Sequence, residues 1–308
     1  MREFLLAKAE SLLQSKEFEV SDFAHSNTCF DIAAKKGKVT LLLKVFENID
    51  SLREEHAFEL KKLVTLFNAV VMVLGTKTKA FTLKKGVIYE RYGIPAISVD
   101  SFAGILDKKF PSVKSFKGRE IVELETDLLK QKRKELGLTL SELASKIGST
   151  TESIHRYEKG HSTSLQTAEK LEEALNARLV KKIDLFEEAA LKQNEIFEEE
   201  IEDPALEKVQ GLGLKLALFK HAPFKAGSGE REHLVIAKGT SKQDVKRKAI
   251  ELGKTGVALG SHGMVITKKA GIRSVGKIPI IEEDELTTLS RFNDLMKLLR
   301  EREKERVK

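Results

Sequence analysis

Residues 139–160 restrict the fold of this chain more than any other stretch of its sequence. Thr139, followed three residues later by Glu142, has the pattern of a capping box at the start of a helix. Gly148 suits the left-handed residue of a tight turn, and Thr150 can cap a second helix that ends by Gly160. The first helix carries apolar residues at helical spacing, namely Leu140, Leu143, Ala144 and Ile147. The stretch therefore predicts two short helices around a glycine-centred turn.

The second of these helices has an apolar face and a polar face. Ile154 and Tyr157 are expected to point inward. A polar face on a helix held by a tight turn is what a reader of the DNA major groove requires. An ordinary αα-hairpin with a solvated face would have the same pattern, so the flanking segments have to decide. The polar positions are Thr151, Glu152, Ser153, His155, Arg156 and Lys159.

The flanking segments complete a recognisable motif. A basic helix is predicted over residues 129–136, closed by Gly137, and an amphipathic helix over residues 164–176. The range 120–182 resembles the Cro/cI-type (XRE) helix-turn-helix family. The residues that carry this resemblance are Arg133, Gly137, Leu138, Thr139, Leu143, Ala144, Gly148, Ile154, Glu158 and Gly160.

The resemblance implies a central five-helix domain that binds double-stranded DNA. It pairs Arg133 with Glu158, which ties the first helix to the third. Leu140 departs from the family, where a glutamine is common, and this removes one expected backbone or base contact. The resemblance gives base contacts to Thr151, Glu152 and Arg156, and the whole expected DNA-binding surface is Thr150, Thr151, Glu152, Ser153, His155, Arg156 and Lys159.

Composition excludes several other classes of protein. The chain has 308 residues, of which 41% are hydrophobic and 33% charged, so two or three globular domains are expected. Its single cysteine, Cys29, excludes a disulfide framework and fits a reducing cytoplasm. No signal peptide and no apolar run of membrane length is expected. We therefore expect a cytoplasmic protein.

Charge is unevenly distributed along the chain. Residues 120–182 hold eleven basic and eleven acidic side chains, whereas residues 183–207 hold one basic and ten acidic. The flanking ranges 1–119 and 208–308 are both basic. Either these flanks supply contacts to DNA phosphates, or their lysines only keep the protein in solution. The sequence leaves both interpretations open.

Residues 1–119 predict an α/β domain. Helix 3–14 precedes three strands, 18–23, 29–35 and 39–46. A helix over 51–68, a buried strand over 69–74 and two short extended pieces within 86–98 follow, and Asp100 is expected to cap a final helix over 101–106.

Within this domain, Asp31 and Lys44 resemble part of a restriction-endonuclease-type PD-(D/E)xK core. In such a core two carboxylates hold Mg²⁺, and one of them lies two residues before the lysine. That position is Leu42 here. The resemblance therefore implies a nuclease-like fold without catalytic residues. Alternatively, Asp31 and Lys44 are only charges at strand ends.

The C-terminal half predicts a spacer and a second α/β domain. Residues 183–207 form an acidic linker, helical up to Pro204, which serves as a spacer or as part of a dimer seam. Residues 208–296 are expected to repeat the first domain, unless short βα patterns match by chance. Residues 297–308 predict a charged, solvated tail. The matched segments are 29–44 with 222–238, 71–77 with 256–262, and 93–100 with 277–284.

These observations favour a DNA-binding transcription regulator that is not an enzyme. The central helix-turn-helix, together with residues 87–95 of the N-terminal domain, resembles a family of archaeal HTH-type transcriptional regulators of similar length. A homodimer is expected because one short helix reads few bases. The histidines lack ligand spacing and the glycines form no phosphate loop, so neither a metal nor a cofactor is predicted. One alternative is a nuclease-like processing or repair protein delivered to DNA by the helix-turn-helix. In another, the α/β domains bind proteins.

Overall fold

The computed structural model describes residues 1–26, 28–116, 118–191, 199–229 and 231–304. Its helices are α1 Arg2–Ser15, α2 Glu54–Phe67, α3 Val99–Leu106, α4 Thr126–Glu135, α5 Leu140–Ile147, α6 Thr151–Tyr157, α7 Leu165–Leu175, α8 Leu185–Leu191, α9 Pro204–Gly211, α10 Lys242–Leu259, α11 Glu283–Leu286 and α12 Phe292–Lys304. Its strands are β1 Glu19–Asp22, β2 Ile32–Lys36, β3 Val39–Val45, β4 Ala69–Gly75, β5 Val87–Arg91, β6 Ile94–Ser98, β7 Val113–Phe116, β8 Arg119–Val122, β9 Thr163–Ser164, β10 Ala217–Leu218, β11 Ala226–Ser228, β12 Leu234–Gly239, β13 His262–Thr267, β14 Ser274–Val275 and β15 Ile278–Glu282.

The first module, residues 2–106, has a mixed sheet with helices on both faces. Its strands lie in the order β1-β2-β3-β4-β6-β5. Strands β3, β4 and β6 are parallel and carry almost continuous apolar runs, as expected for strands that are covered on both sides. Helices α1 and α3 pack on one face of the sheet, and α2 packs on the other. Helix α3 begins at Val99 and is capped by Ser98, so the expected Asp100 cap is wrong.

The second module, residues 204–304, has the same strand order. Its sheet runs β10-β11-β12-β13-β15-β14, and each neighbouring pair has the same direction as its counterpart in the first module. Two edge-to-face phenylalanine pairs occupy matching places, with ring centroids 5.1 Å and 4.9 Å apart. These pairs are Phe23 with Phe30, and Phe219 with Phe224.

Backbone pairing fixes which residues correspond between the modules. The amide of Asp31 donates to the carbonyl of Leu43, and the amide of Lys225 donates to that of Ile236. Lys225 therefore holds the position of Asp31. In the same register, Lys44 corresponds to Ala237, Asn68 to Gly260, and Pro95 to Pro279.

This register corrects the alignment expected from the sequence. The segment 222–238 is shifted by one residue, because Phe224 corresponds to Phe30 and not to Asp31. Residues 256–259 end helix α10 and Gly260 is its left-handed C-cap, so segment 256–262 is not the counterpart of β4. Only the match of 93–100 with 277–284 keeps its register.

The two modules face each other across a shared apolar core. Helices α2 and α10 lie between the sheets, and the core combines side chains from both modules. The contacts are reciprocal: Lys62 of α2 donates to the carbonyl of Leu218 at 2.9 Å, and Ser21 of β1 donates to the carbonyl of Lys254 in α10 at 3.4 Å. Phe67, at the end of α2, meets Phe224 with ring centroids 6.2 Å apart.

Residues 120–182 fold into four helices, α4 to α7, and the expected count of five is wrong. After α7 the chain is extended, because the amide of Glu125 bonds the carbonyl of Leu179 and the amide of Lys181 bonds that of Glu123. Hairpin β7–β8 pairs with β5 on one side and with β9 on the other. The first sheet therefore continues into this domain, and the expected limit at 119/120 falls inside the hairpin.

The remaining C-terminal elements differ from expectation in two places. Pro204 occupies the first turn of α9, where its missing amide costs nothing, so it begins a helix instead of ending one. The expected limit at 296/297 falls inside α12, whose Arg302 is buried against Glu285. The expected acidic helix is observed only over Leu185–Leu191, as α8; residues 192–198 lie outside the described ranges, and residues 199–203 are not helical, so the expected helix up to Pro204 is wrong there.

Candidate nucleic-acid interface

Helix α5 and the turn after it set the position of the candidate reading helix. Both halves of the capping box are present: the amide of Glu142 donates to the Thr139 hydroxyl at 3.1 Å, and the amide of Thr139 to the Glu142 carboxylate at 2.7 Å. Gly148 has φ +68°, and the amide of Ser149 closes the turn on the carbonyl of Ala144. The local sequence thus fixes where α5 ends and how the chain turns.

Helix α6 is held by its cap and by one buried face. The Thr150 hydroxyl accepts the amide of Ser153 at 3.2 Å. Ile154 is fully buried and Tyr157 half-buried, as expected. They pack on a small core made of Leu129, Leu143, Ala144, Ile147, Ala168, Leu171, Leu175 and Leu179.

The expected DNA-binding residues lie together on the outer face of this helix. Ser153 and His155 are half-buried, whereas the other five positions are exposed. The exposed positions are Thr150, Thr151, Glu152, Arg156 and Lys159.

A buried ion pair ties the first helix of this domain to the end of α6. Arg133 donates to both carboxylate oxygens of Glu158, at 2.6 Å and 3.1 Å, and to the carbonyl of Leu138 at 2.8 Å. Only 12% and 8% of the two side chains are exposed. The hydrogen bonds to Glu158 raise the pKa of Arg133. Such a bidentate pair fixes orientation as well as distance.

The nuclease-like centre of the first module has no carboxylate available for a metal. Asp31 is fully buried, and one of its oxygens accepts Lys44 at 2.8 Å and Arg2 at 2.9 Å. Its other oxygen accepts the amide of Val45 at 2.7 Å. Leu42 stands where the fold family has its second carboxylate. Two cations and one backbone amide thus occupy both oxygens of Asp31, and this carboxylate does not fit a ligand of Mg²⁺.

A histidine pair between the modules was not predicted. His56 of α2 and His221, which follows β10, have ring centroids 4.5 Å apart. Burial, together with nearby His221 and Lys44, lowers the pKa of His56 to about 4, so its ring is neutral at pH 7. No sequence motif could have found this pair, because its members lie far apart in the chain.

Comparisons with known proteins agree with this geometry. A PD-(D/E)XK superfamily domain matches residues 2–111, and a helix-turn-helix model matches residues 129–181. A "Putative HTH-type transcriptional regulatory protein" of Archaeoglobus fulgidus is 34% identical over 302 residues, which is 97% of each chain. Relatives with the same description from Pyrococcus horikoshii and Methanobrevibacter smithii are each 32% identical over 97–98% of both chains. The chain belongs to this family.

The family is thus identified over nearly the whole chain. No solved structure matches it. Among the described residues, no helix is long and apolar enough to cross a membrane.

Proposed function

We propose that this family member is a sequence-specific, DNA-binding transcription regulator that reads the major groove with α6. The observation that carries the proposal is the exposed polar face of α6 on a scaffold fixed by the Arg133–Glu158 pair. Because the helix is already ordered on a rigid support, binding in the groove does not cost the conformational entropy of ordering it.

Each side chain on this face has a chemical role in the proposal. Arg156 lies about one helical turn beyond Thr151 and Glu152, so the three can reach one stretch of groove. Arginine reads guanine through O6 and N7, and glutamate accepts from the amino group of cytosine. Lys159, beyond the helix end, meets phosphate. Thr150, Ser153 and His155 complete the contact surface.

We also propose that the protein binds as a homodimer in the cytoplasm. One short helix contacts few base pairs, whereas a symmetric dimer reads two half-sites. Regulation of chromosomal genes requires the compartment that holds the chromosome.

A binding selection on random DNA duplexes tests the reading helix. The wild type should enrich one sequence pattern, and Arg156→Ala should relax the preference at one base pair, at a cost of about 1–3 kcal/mol. Lys159→Ala should instead weaken binding to all DNA sequences alike, and it should lower the slope of log affinity against log salt concentration by about one. If Arg156→Ala keeps the full preference of the wild type, α6 is not the reader.

We further propose that the nuclease-like module does not cut DNA. The proposal rests on the complete engagement of Asp31 by Arg2, Lys44 and the amide of Val45. Purified protein should leave duplex, branched and single-stranded DNA intact with Mg²⁺ or Mn²⁺. Cleavage that disappears in Asp31→Ala would favour the nuclease or repair alternative.

The two α/β modules are proposed to be copies of one ancestral unit. Support comes from their identical strand order and from the matching phenylalanine pairs. We accordingly propose four parts: these two modules, a helix-turn-helix domain that begins with hairpin β7–β8 and runs to residue 182, and an acidic linker, 183–203. A crystal structure should superpose the modules with Pro95 on Pro279. A different register there would contradict a duplication.

A further inference from the structure

A buried histidine, a half-buried histidine and an exposed carboxylate meet where the modules join. Glu55 and His56 lie in the first turn of α2, and His221 lies between β10 and β11. One nitrogen from each ring and one carboxylate oxygen of Glu55 lie within 4.8 Å of one another. The three side chains thus converge on one point from two modules.

Two ring nitrogens in this cluster lack the hydrogen bond that burial normally demands. Nε2 of His56 and Nδ1 of His221 are closed to solvent, and within the described part of the chain neither has a hydrogen-bond partner. Nδ1 of His221 is 3.7 Å from Oε1 of Glu59, which is too long for a hydrogen bond. Buried polar atoms without a partner are rare and call for an explanation.

We propose that Glu55, His56 and His221 bind a divalent transition-metal ion, for which zinc is the best chemical match. Two imidazoles and one carboxylate form a common ligand set for zinc, which leaves a fourth position open. Magnesium and calcium prefer sites made of oxygen atoms only. Zinc bonds of about 2.0–2.2 Å require the ligand atoms to close in to roughly 3.4 Å. The exposed side chain of Glu55 now pairs with exposed Arg53 at 2.9 Å, and it would leave this surface pair to bind the ion.

The surroundings hold the ligands in place. Glu59 accepts the backbone amides of Lys220 at 2.6 Å and of His221 at 2.8 Å. The carbonyl of His221 accepts the amide of Cys29 at 2.5 Å. These bonds fix the turn that carries His221 against the first module, as supporting groups do around metal sites.

The opposite side of the joint provides an internal comparison. Counted from Phe23 and Phe219, His25 takes the place of His221. Counted back from the helix C-caps, Arg247 and Lys248 take the places of Glu55 and His56. Two cations thus stand where this site has a carboxylate and an imidazole, so we expect the site on one side only.

A bound ion would join α2 to the second module. It would therefore stabilise the full chain against unfolding, because the ligands are brought together only when the modules are in contact. At a hundredfold excess of zinc over its dissociation constant, the melting temperature should rise by roughly 5 °C.

The test is a titration of the full, chelator-treated protein with zinc, followed by calorimetry and by the visible absorption of Co²⁺ in place of zinc. We expect one ion per chain. Glu55→Ala and His221→Ala should each weaken binding by at least about tenfold. The matched controls Glu54→Ala and His25→Ala should leave the affinity unchanged. Glu55 is exposed, so its variant should fold even if His221→Ala does not.

Three results would overturn the proposal. The first is the absence of stoichiometric binding by the folded wild type. The second is an affinity that neither Glu55→Ala nor His221→Ala alters, which would place the ion elsewhere, for example at His262 with Glu232 and Glu303. The third is a bound Co²⁺ whose absorption spectrum is the same in wild type and both variants.

Discussion

The two α/β modules share one topology but treat charge in opposite ways. The first module buries Asp31 completely and surrounds it with Lys44 and Arg2. The second has Lys225 and Ala237 at the corresponding positions. One of its ion pairs joins Lys238 to Asp203, the last residue of the linker; it lies at the rim of the sheet, and 29% of each side chain is exposed.

The difference shows how the burial of one acid changes what a fold requires. A buried carboxylate must be paired, because leaving it alone in the interior is costly. In the first module, Arg2 and Lys44 neutralise Asp31. Within the described part of the second module no carboxylate is fully buried, and its buried charge is Arg302, which pairs with partly exposed Glu285. Folding thus depends on charge at this position in one module only.

The largest expected effect is therefore at Asp31. Asp31→Asn removes the countercharge of buried Lys44 and should lower the free energy of unfolding by about 3–5 kcal/mol. The control variant Asp203→Asn, at the edge of the second module, keeps the cap of α9 and leaves a half-exposed Lys238, so it should cost about 0–1 kcal/mol. Urea unfolding of the full chain, compared at constant m-value, measures both. Equal losses would show that the modules do not differ in this way.

A second buried ion pair tests whether the loss of stability depends on the burial of the pair or on the module that holds it. Arg133 and Glu158 lie outside both modules but are nearly as buried as Asp31 and Lys44. Arg133→Ala should cost about 3 kcal/mol, near the lower end of the range for buried pairs because the arginine keeps 12% exposure. Arg119→Ala, an exposed arginine, is the control. A melting temperature equal to that of the wild type would contradict the role of the pair.

Sequence reasoning succeeded where the determinants are local. The capping box at Thr139, the left-handed Gly148 and the cap at Thr150 all lie within a few residues of the turns they define. Such patterns act over one helical turn, so they can be read without knowledge of the rest of the fold.

Sequence reasoning failed where contacts between segments far apart in the chain determine the structure. Residues 256–259 resemble a short apolar strand but end a helix, because short apolar runs do not distinguish the two. The engagement of Asp31 by Arg2 depends on how α1 packs on the sheet. His56 and His221 meet only because two modules face each other. The expected fifth helix is replaced by an extended segment that pairs with residues 123–125.

The joint between the modules is a third place where they differ. Gly229, at the end of β11, lies so close to α2 that an added Cβ would meet the backbone carbonyl of Leu66. The matching place in the first module holds Lys35, whose flexible end lies beside Gly260. Gly229→Ala should therefore cost about 1–3 kcal/mol, as overpacking does. Lys35→Ala should cost little. Calorimetry of the full chain measures the loss of stability in both variants, and equal losses would contradict this asymmetry.

The smallest expected effect depends on pH and belongs to the second module. The Asp244 carboxylate accepts hydrogen bonds from the backbone amide of Thr240 at 3.1 Å and from the guanidinium of Arg247 at 2.8 Å. Although burial opposes the shift, hydrogen bonds to Arg247, Thr240 and Lys248 lower the pKa of Asp244 to about 2. Below pH 4 the unfolded chain takes up this proton before the folded one does. The stabilisation is therefore complete above pH 4 and is lost as the pH falls through about 2.

This linkage gives a measurable slope. Because 17% of the Asp244 side chain is exposed, we expect its contribution to the free energy of unfolding to fall by about 1–2 kcal/mol between pH 4 and pH 2. The side chain of Asp244→Asn cannot titrate. Between pH 4 and pH 2 the free energy of unfolding of this variant should therefore fall less steeply with pH than that of the wild type, by a slope that corresponds to at most one proton. The corresponding position of the first module is Leu52, which has no charge to lose. Urea unfolding at several pH values compares the two chains, and identical slopes would show that Asp244 does not contribute to acid sensitivity.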